Sequence, residues 1–274
     1  MFKLIKMDFY RLFNTKAVKF GALAACAIAA VYMLLSLGLI ELLKWSMQDS
    51  DPASIAEMSI LIPQVAWLNG ADFADLVIGG TGAFSLFVGC MITASFIGSE
   101  QSCGYTKNFA GQLPNRGYMA VSKFVVTSFA QIMVLVLYAA VSSALAPLLF
   151  GKYITGYALV PLFEVLGLRL MLHVAINAII VFICTLTKSH AIGMVIGSIF
   201  GIGVTQIAYM AISMVLGVAK INFNVSEYMP DGINAQLSVG SIGGLYIKAI
   251  LVSIAFIAVF VTANYIVVSK RDVK

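Results

Sequence analysis

Charge is what this sequence has least of. Of its 274 residues only 11% are Asp, Glu, Lys or Arg, while 61% are hydrophobic, and the mean hydropathy is +0.99. Soluble domains carry about a quarter charged residues, so a water-facing surface cannot be assembled from this inventory. Cysteine is sparse too. Of the four present, Cys26, Cys90 and Cys184 fall in apolar blocks and Cys103 in a polar loop assigned below to the cytoplasm. None lies where an oxidising compartment would pair it, which excludes a disulfide framework. Also missing is a phosphate-binding loop of the form G-x-x-x-x-G-K-[ST]. The GSIGG near position 242 lacks the lysine such a cradle needs, so any ATP used must be hydrolysed by another chain. The net charge of +5 is better read as anchoring beside anionic headgroups than as a nucleic-acid surface.

What is present is apolar sequence in blocks of about 18 residues or more, the length that crosses ~30 Å of hydrocarbon. Six spans are predicted, over 17–40, 79–98, 124–150, 169–186, 191–218 and 246–268. All are expected to be helical, because a spanning segment must satisfy its backbone hydrogen bonds internally. The expected fold is therefore a single all-α transmembrane domain over 1–274. The first span is too long for a cleavable signal peptide and lacks its cleavage site. With both termini inside, the segments 1–16, 99–123, 188–190 and 269–274, together with Lys19, hold 12 of the 17 Lys and Arg residues. Lys44, Lys152, Lys220 and Lys248 fall on the other side, beside nine acids, six of them between Glu41 and Asp75. Lys/Arg bias near span ends sets orientation, so a multi-pass protein of the cell membrane with both termini in the cytoplasm is expected.

Outside the spans, Phe2, Ile5, Phe9 and Leu12 recur at helical spacing, while Lys3, Lys6, Asp8 and Arg11 lie elsewhere on the wheel. This pattern predicts an amphipathic helix over 1–16 lying in the membrane interface. The stretch 99–123 has room for one or two helical turns over 105–109, suited to docking on a partner. Trp45 and Trp67 are expected as interface anchors. The polar stretch 220–245 is either a pair of short re-entrant or interfacial helices or a loop.

Polar residues inside the spans are few. Arg169, His173 and Asn177 stand at i, i+4 and i+8, on one helix face, with Glu164 just before them. Intramembrane ionisable groups usually face a bundle interior or a wet cavity. Three readings follow: Arg169 snorkels to the outer headgroups and pairs with Glu164; the stripe lines a pathway; or Glu164 and His173 serve an intramembrane enzyme. For the last, the likeness is to glutamate-type intramembrane proteases. Gly193, Gly197 and Gly201 form a G-x-x-x-G-x-x-x-G stripe that lets another helix approach closely, either within the chain or in a second copy. Gln131, Gln206 and Tyr209 are candidate interhelical hydrogen-bond partners. No metal-ligand set is evident.

The residues Glu100, Gly104, Lys107, Asn108, Arg116 and Lys123 carry a resemblance. In ABC-2 type transporter permeases a Glu closes the second span and is followed by G-x-x-K-N, an Arg, and a Lys before the third span. The layout is similar too: an amphipathic start, six spans and a polar connection before the last. The resemblance implies that a short coupling helix lies between spans two and three. Tyr105, Lys107, Asn108 and Phe109 would dock it on a separate ATPase, with Glu100, Gly104, Arg116 and Lys123 anchoring the loop. Two permeases, identical or paralogous, would work with two ATPase subunits that bind ATP and Mg2+, this chain holding neither and not being itself an enzyme. The expected cargo is hydrophobic or amphipathic, such as a peptide, a bacteriocin to which the cell is immune, or a drug. A membrane subunit without transport is the further alternative.

Overall fold

The computed structural model describes residues 1–47, 73–102, 115–152, 159–218, 223–238 and 243–270. All its regular elements are helices: α1 (Phe2–Asn14), α2 (Lys16–Met47), α3 (Phe73–Thr81), α4 (Phe84–Ser102), α5 (Gly117–Phe150), α6 (Leu159–Thr187), α7 (His190–Ile202), α8 (Val204–Val218), a 3-10 turn (Val225–Tyr228), α9 (Pro230–Gln236) and α10 (Gly243–Lys270). Five helical segments among the described residues are long and apolar enough to cross a membrane, or six if the bent pair α7–α8 is one span. The chain is therefore read as a multi-pass membrane protein.

The long helices follow from uninterrupted apolar sequence, since in hydrocarbon only intrahelical bonds satisfy the backbone. The interruptions carry the information. Predicted as one span over 191–218, the fifth segment is broken. α7 starts at Ser189, whose hydroxyl accepts from the Ile192 N–H, and stops at Gly203, with φ +81°. A side chain rarely adopts that left-handed angle, so glycine permits the stop, and α8 leaves at 70° to α7. The second predicted span likewise divides, into α3 and α4, with Gly82 and Ala83 between them. There the Ser85 hydroxyl donates to the Thr81 carbonyl, and the Phe87 N–H bonds the Ala83 carbonyl at 2.9 Å. Helix α6 begins ten residues before its predicted span and carries Glu164 inside it.

α2, α3, α5, α6 and α7 all pack on α4. The glycine stripe of α7 makes one of these approaches possible. A Cβ on Gly201 would stand 2.5 Å from the Phe87 Cα, one on Gly197 2.9 Å from the Cys90 Cβ, and one on Gly193 2.2 Å from the Cys184 sulfur. The stripe is thus filled by α4 and α6 of the same chain. Lipid tails are as apolar as leucine, so such contacts hold the bundle by close packing rather than by escape from water.

The buried apolar residues form two groups. One surrounds α4, from Leu86 to Ile97, with Ile176, Ile180 and Cys184 of α6. The other gathers Ala74, Leu76, Val77 and Ile78 of α3, Val165, Leu168 and Leu172 of α6, and Ile233 and Leu237 of α9 and its end. Between them runs a polar seam, at the level of the two helix breaks.

Candidate functional site

Two polar sites interrupt the apolar bundle. The first lies where α4 ends and α5 begins. Glu100, on the last turn of α4, is fully buried. Its Oε1 accepts from the Arg11 guanidinium at 2.6 Å, and its Oε2 faces Lys123 Nζ at 2.6 Å. Arg11 also stands over the Phe96 ring, 5.2 Å from its centroid. Asp8, one turn earlier on α1, accepts from the Ser122 hydroxyl at 2.5 Å and lies 3.6 Å from Arg11. Two carboxylates and two cations therefore tie α1, α4 and α5 together with no net charge. Burial is the main reason the Asp8 carboxyl is pushed above its ordinary value; the Ser122 bond opposes the shift and the Glu100 charge adds to it. Asn115 donates to the Tyr265 hydroxyl at 2.6 Å and so joins α10 to the same end.

Sequence reasoning placed Asp8 on the polar side of α1, yet the buried stripe of that helix is Leu4, Asp8 and Leu12. The acid is turned inward because Ser122 and Arg11 wait for it there. The anchoring residues Glu100 and Lys123 meet directly; Arg116 stands at the position before α5 and makes no side-chain capping bond. Gly104 and the docking candidates Tyr105, Lys107, Asn108 and Phe109 lie outside the described residues.

The second site is the polar seam. Arg169, His173 and Asn177 form one buried face of α6. Snorkelling does not occur: Arg169 is only 4% exposed. Its Nη1 donates to the Ile78 carbonyl at 2.5 Å and the Thr81 hydroxyl at 2.6 Å, and its Nη2 to the Leu237 carbonyl at 2.8 Å. Glu164 is exposed, five residues before Arg169 and nine before His173, and is brought to neither. The helix breaks explain this geometry. The ends of α3 and α9 leave carbonyls without intrahelical donors, and a guanidinium supplies fixed donors to them. A Cβ on Gly82 would stand 3.0 Å from Nη1, so glycine lets the fork lie against the backbone. Asn177 is engaged at both polar atoms: its amide donates to Thr127 and Ser128 at 3.0 Å each, and its oxygen accepts from Thr93 at 2.8 Å. It rivets α4, α5 and α6.

Beside Arg169 opens a cleft of about 220 Å³, lined by Gly79, Gly82, Phe200, Gly203, Gln206, Asp231 and Asn234, among others. Asp231 and Asn234 come from α9 and are each 4% exposed. Tyr209 of α8 donates to Asp231 at 2.9 Å, and Asn234 donates to the Gly82 carbonyl at 2.9 Å. Sequence reasoning missed Asp231 and Asn234 as site residues; their i, i+3 spacing behind Pro230 was a usable signal. Gln131 lies over Gly89 of α4, where a Cβ would strike its amide. Among the described residues no group of three or more His, Cys, Asp or Glu is placed to hold a metal ion. No family model matches the sequence, and no curated protein matches it.

Proposed function

We propose that this chain is the membrane subunit of an ATP-driven exporter of the ABC-2 permease type, moving a hydrophobic or amphipathic substrate. A separate ATPase, binding ATP and Mg2+, acts on the stretch 103–114. Both termini face the cytoplasm, α7 and α8 count as one bent span of six, and α1 lies in the inner interface. A second permease copy or paralogue completes the pore.

The observation that carries this reading is the Glu100 cluster. The stretch in question is flanked by Glu100 and Lys123, and these two residues are ion-paired at 2.6 Å, with Arg11 on the same carboxylate. A push on the intervening segment would be passed to α4, α5 and α1 as one body instead of being absorbed by loose ends. Coupling between distant sites needs such a rigid element. Since α4 is packed by five other helices, its displacement would reach the polar cleft through α7 and the Gly82 break.

The test is affinity purification in mild detergent from the native membrane. An ATPase subunit should co-purify, and the substitutions Lys107→Ala and Phe109→Ala should release it while the permease stays folded. Retention of the ATPase by the doubly substituted chain removes the docking assignment; absence of any ATPase partner removes the transport reading.

A further inference from the structure

The cleft beside Arg169 carries opposite charges that do not meet. Among the described residues no carboxylate comes within ion-pair distance of the Arg169 guanidinium, whose Nη atoms are spent on neutral oxygens. Its Nε has no hydrogen-bond partner. In the same cleft Asp231 uses one carboxylate oxygen for Tyr209, while its Oδ2 is unpartnered, as is the Oδ1 of Asn234. All three side chains are at least nine-tenths buried and line the opening. Leaving such groups unmade is costly, and more so for charged ones. One donor thus awaits an acceptor, and two acceptors await donors, in the same cleft.

A simple anion satisfies Arg169 but meets the Asp231 carboxylate; a simple cation has the reverse difficulty. A group that carries both charges satisfies every unmade bond at once. We propose that this cleft binds a compact zwitterion, an oxyanion joined by a short linker to a primary ammonium. The oxyanion, phosphate or carboxylate, takes the Arg169 Nε–H, and the ammonium donates to Asp231 Oδ2 and Asn234 Oδ1. The two acceptors demand N–H donors, so a trimethylammonium of the same charge does not fit this chemistry. Phe200, Gly79, Gly201 and Ala83 supply the apolar and small-residue walls that leave room for the linker. This site stands on the cleft alone and holds whether or not the chain is driven by an ATPase.

Two sources present that chemistry, a phosphoethanolamine lipid headgroup and a soluble zwitterion, and the experiment separates them. The full chain is purified, stripped of lipid in detergent, and titrated with phosphatidylethanolamine, phosphatidylcholine or phosphatidylglycerol. Retained lipid is counted by native mass spectrometry and the unfolding temperature is followed in parallel. Free phosphoethanolamine is used as competitor. Phosphatidylethanolamine should be retained about tenfold or more over phosphatidylcholine, the order expected from hydrogen bonds to charged groups. Displacement by free phosphoethanolamine, or binding of that compound alone, assigns the soluble source; retention against it assigns the lipid. Asp231→Asn keeps an acceptor for Tyr209 and should abolish the ethanolamine preference without loss of folding. Arg169→Lys should weaken oxyanion binding, and where that variant fails to fold, Asp231→Asn carries the test. Equal retention of both lipids with no response to free phosphoethanolamine, or a preference untouched by Asp231→Asn, overturns the proposal.

Discussion

The two polar sites bury comparable charge and treat it in opposite ways. At Glu100 every ion touches its counter-ion: one carboxylate lies between Arg11 and Lys123, and Asp8 is held by Ser122 beside Arg11. At Arg169 the cation is dissolved in backbone carbonyls and a hydroxyl, and the acid of the same cleft stands apart from it. A closed cluster has nothing to offer a ligand and resists being pulled open. An open one has hydrogen-bonding capacity to give away. The first has the properties of a brace and the second those of a binding site, although both consist of ionisable groups buried in an apolar bundle.

The sharpest way to break that contrast is to remove the shared carboxylate. Glu100→Gln leaves Arg11 and Lys123 with no full negative charge between them, and breaking a buried pair from one side costs about 3–5 kcal/mol. Unfolding of the purified chain in detergent should show this loss, and adding Lys123→Met should return part of it, a coupling that a double-mutant cycle measures. If the single substitution is silent, the cluster is not a brace. At the other site Arg169→Met should cost less, about 1–3 kcal/mol, because the partners left behind are neutral oxygens rather than ions. A larger loss at Arg169 than at Glu100 would invert the comparison.

Much of this arrangement was legible beforehand, and the reasons are specific. Arg169, His173 and Asn177 were predicted to share a face because helical period alone puts i, i+4 and i+8 together, and the face is buried as a unit. The apolar blocks predicted most of the helices because length and hydropathy are local properties. The breaks were not legible. Gly203 sits in a run as apolar as any true span, and a bend of 70° leaves mean hydropathy unchanged. Asp8 was misassigned because a wheel scores a carboxylate as outward-facing, whereas its partner Ser122 lies 114 positions along the chain. Asp231 and Arg169 are brought to one cleft by packing of α9 on α6, which no short-range pattern encodes.

The glycine stripe joins the two regions mechanically, since α7 rides on α4 between them. Gly201→Ala puts a methyl 2.5 Å from the Phe87 Cα, a backbone atom that cannot swing away. Overpacking of that kind costs about 1–3 kcal/mol, and the α7–α4 separation should grow. Gly167 on α6 is the matched control, for a Cβ there meets nothing within 4 Å. Gly167→Ala should be neutral or stabilising by up to about 1 kcal/mol, through helix propensity alone. Equal responses at the two glycines would mean that the stripe packs less closely than the Phe87 contact requires.

The smallest effect is expected at Asp8, and it has a direction in pH. Burial holds this carboxyl above the ordinary aspartate pKa of about 3.9. The folded state therefore binds the proton more tightly than the unfolded chain does. Its contribution to stability is complete below the unfolded pKa and is lost as pH rises through the folded one. Asp8→Asn keeps an oxygen for the Ser122 hydroxyl but cannot ionise, so it removes that slope. Unfolding temperatures taken from the aspartate range up to neutrality should fall with pH more in the parent than in the variant, the two converging at the acid end. Subtracting the Asp8→Asn profile from the parent profile isolates the Asp8 slope from the rest of the protein's pH dependence. A variant whose profile runs parallel to the parent's would mean that Asp8 is not buried against Ser122.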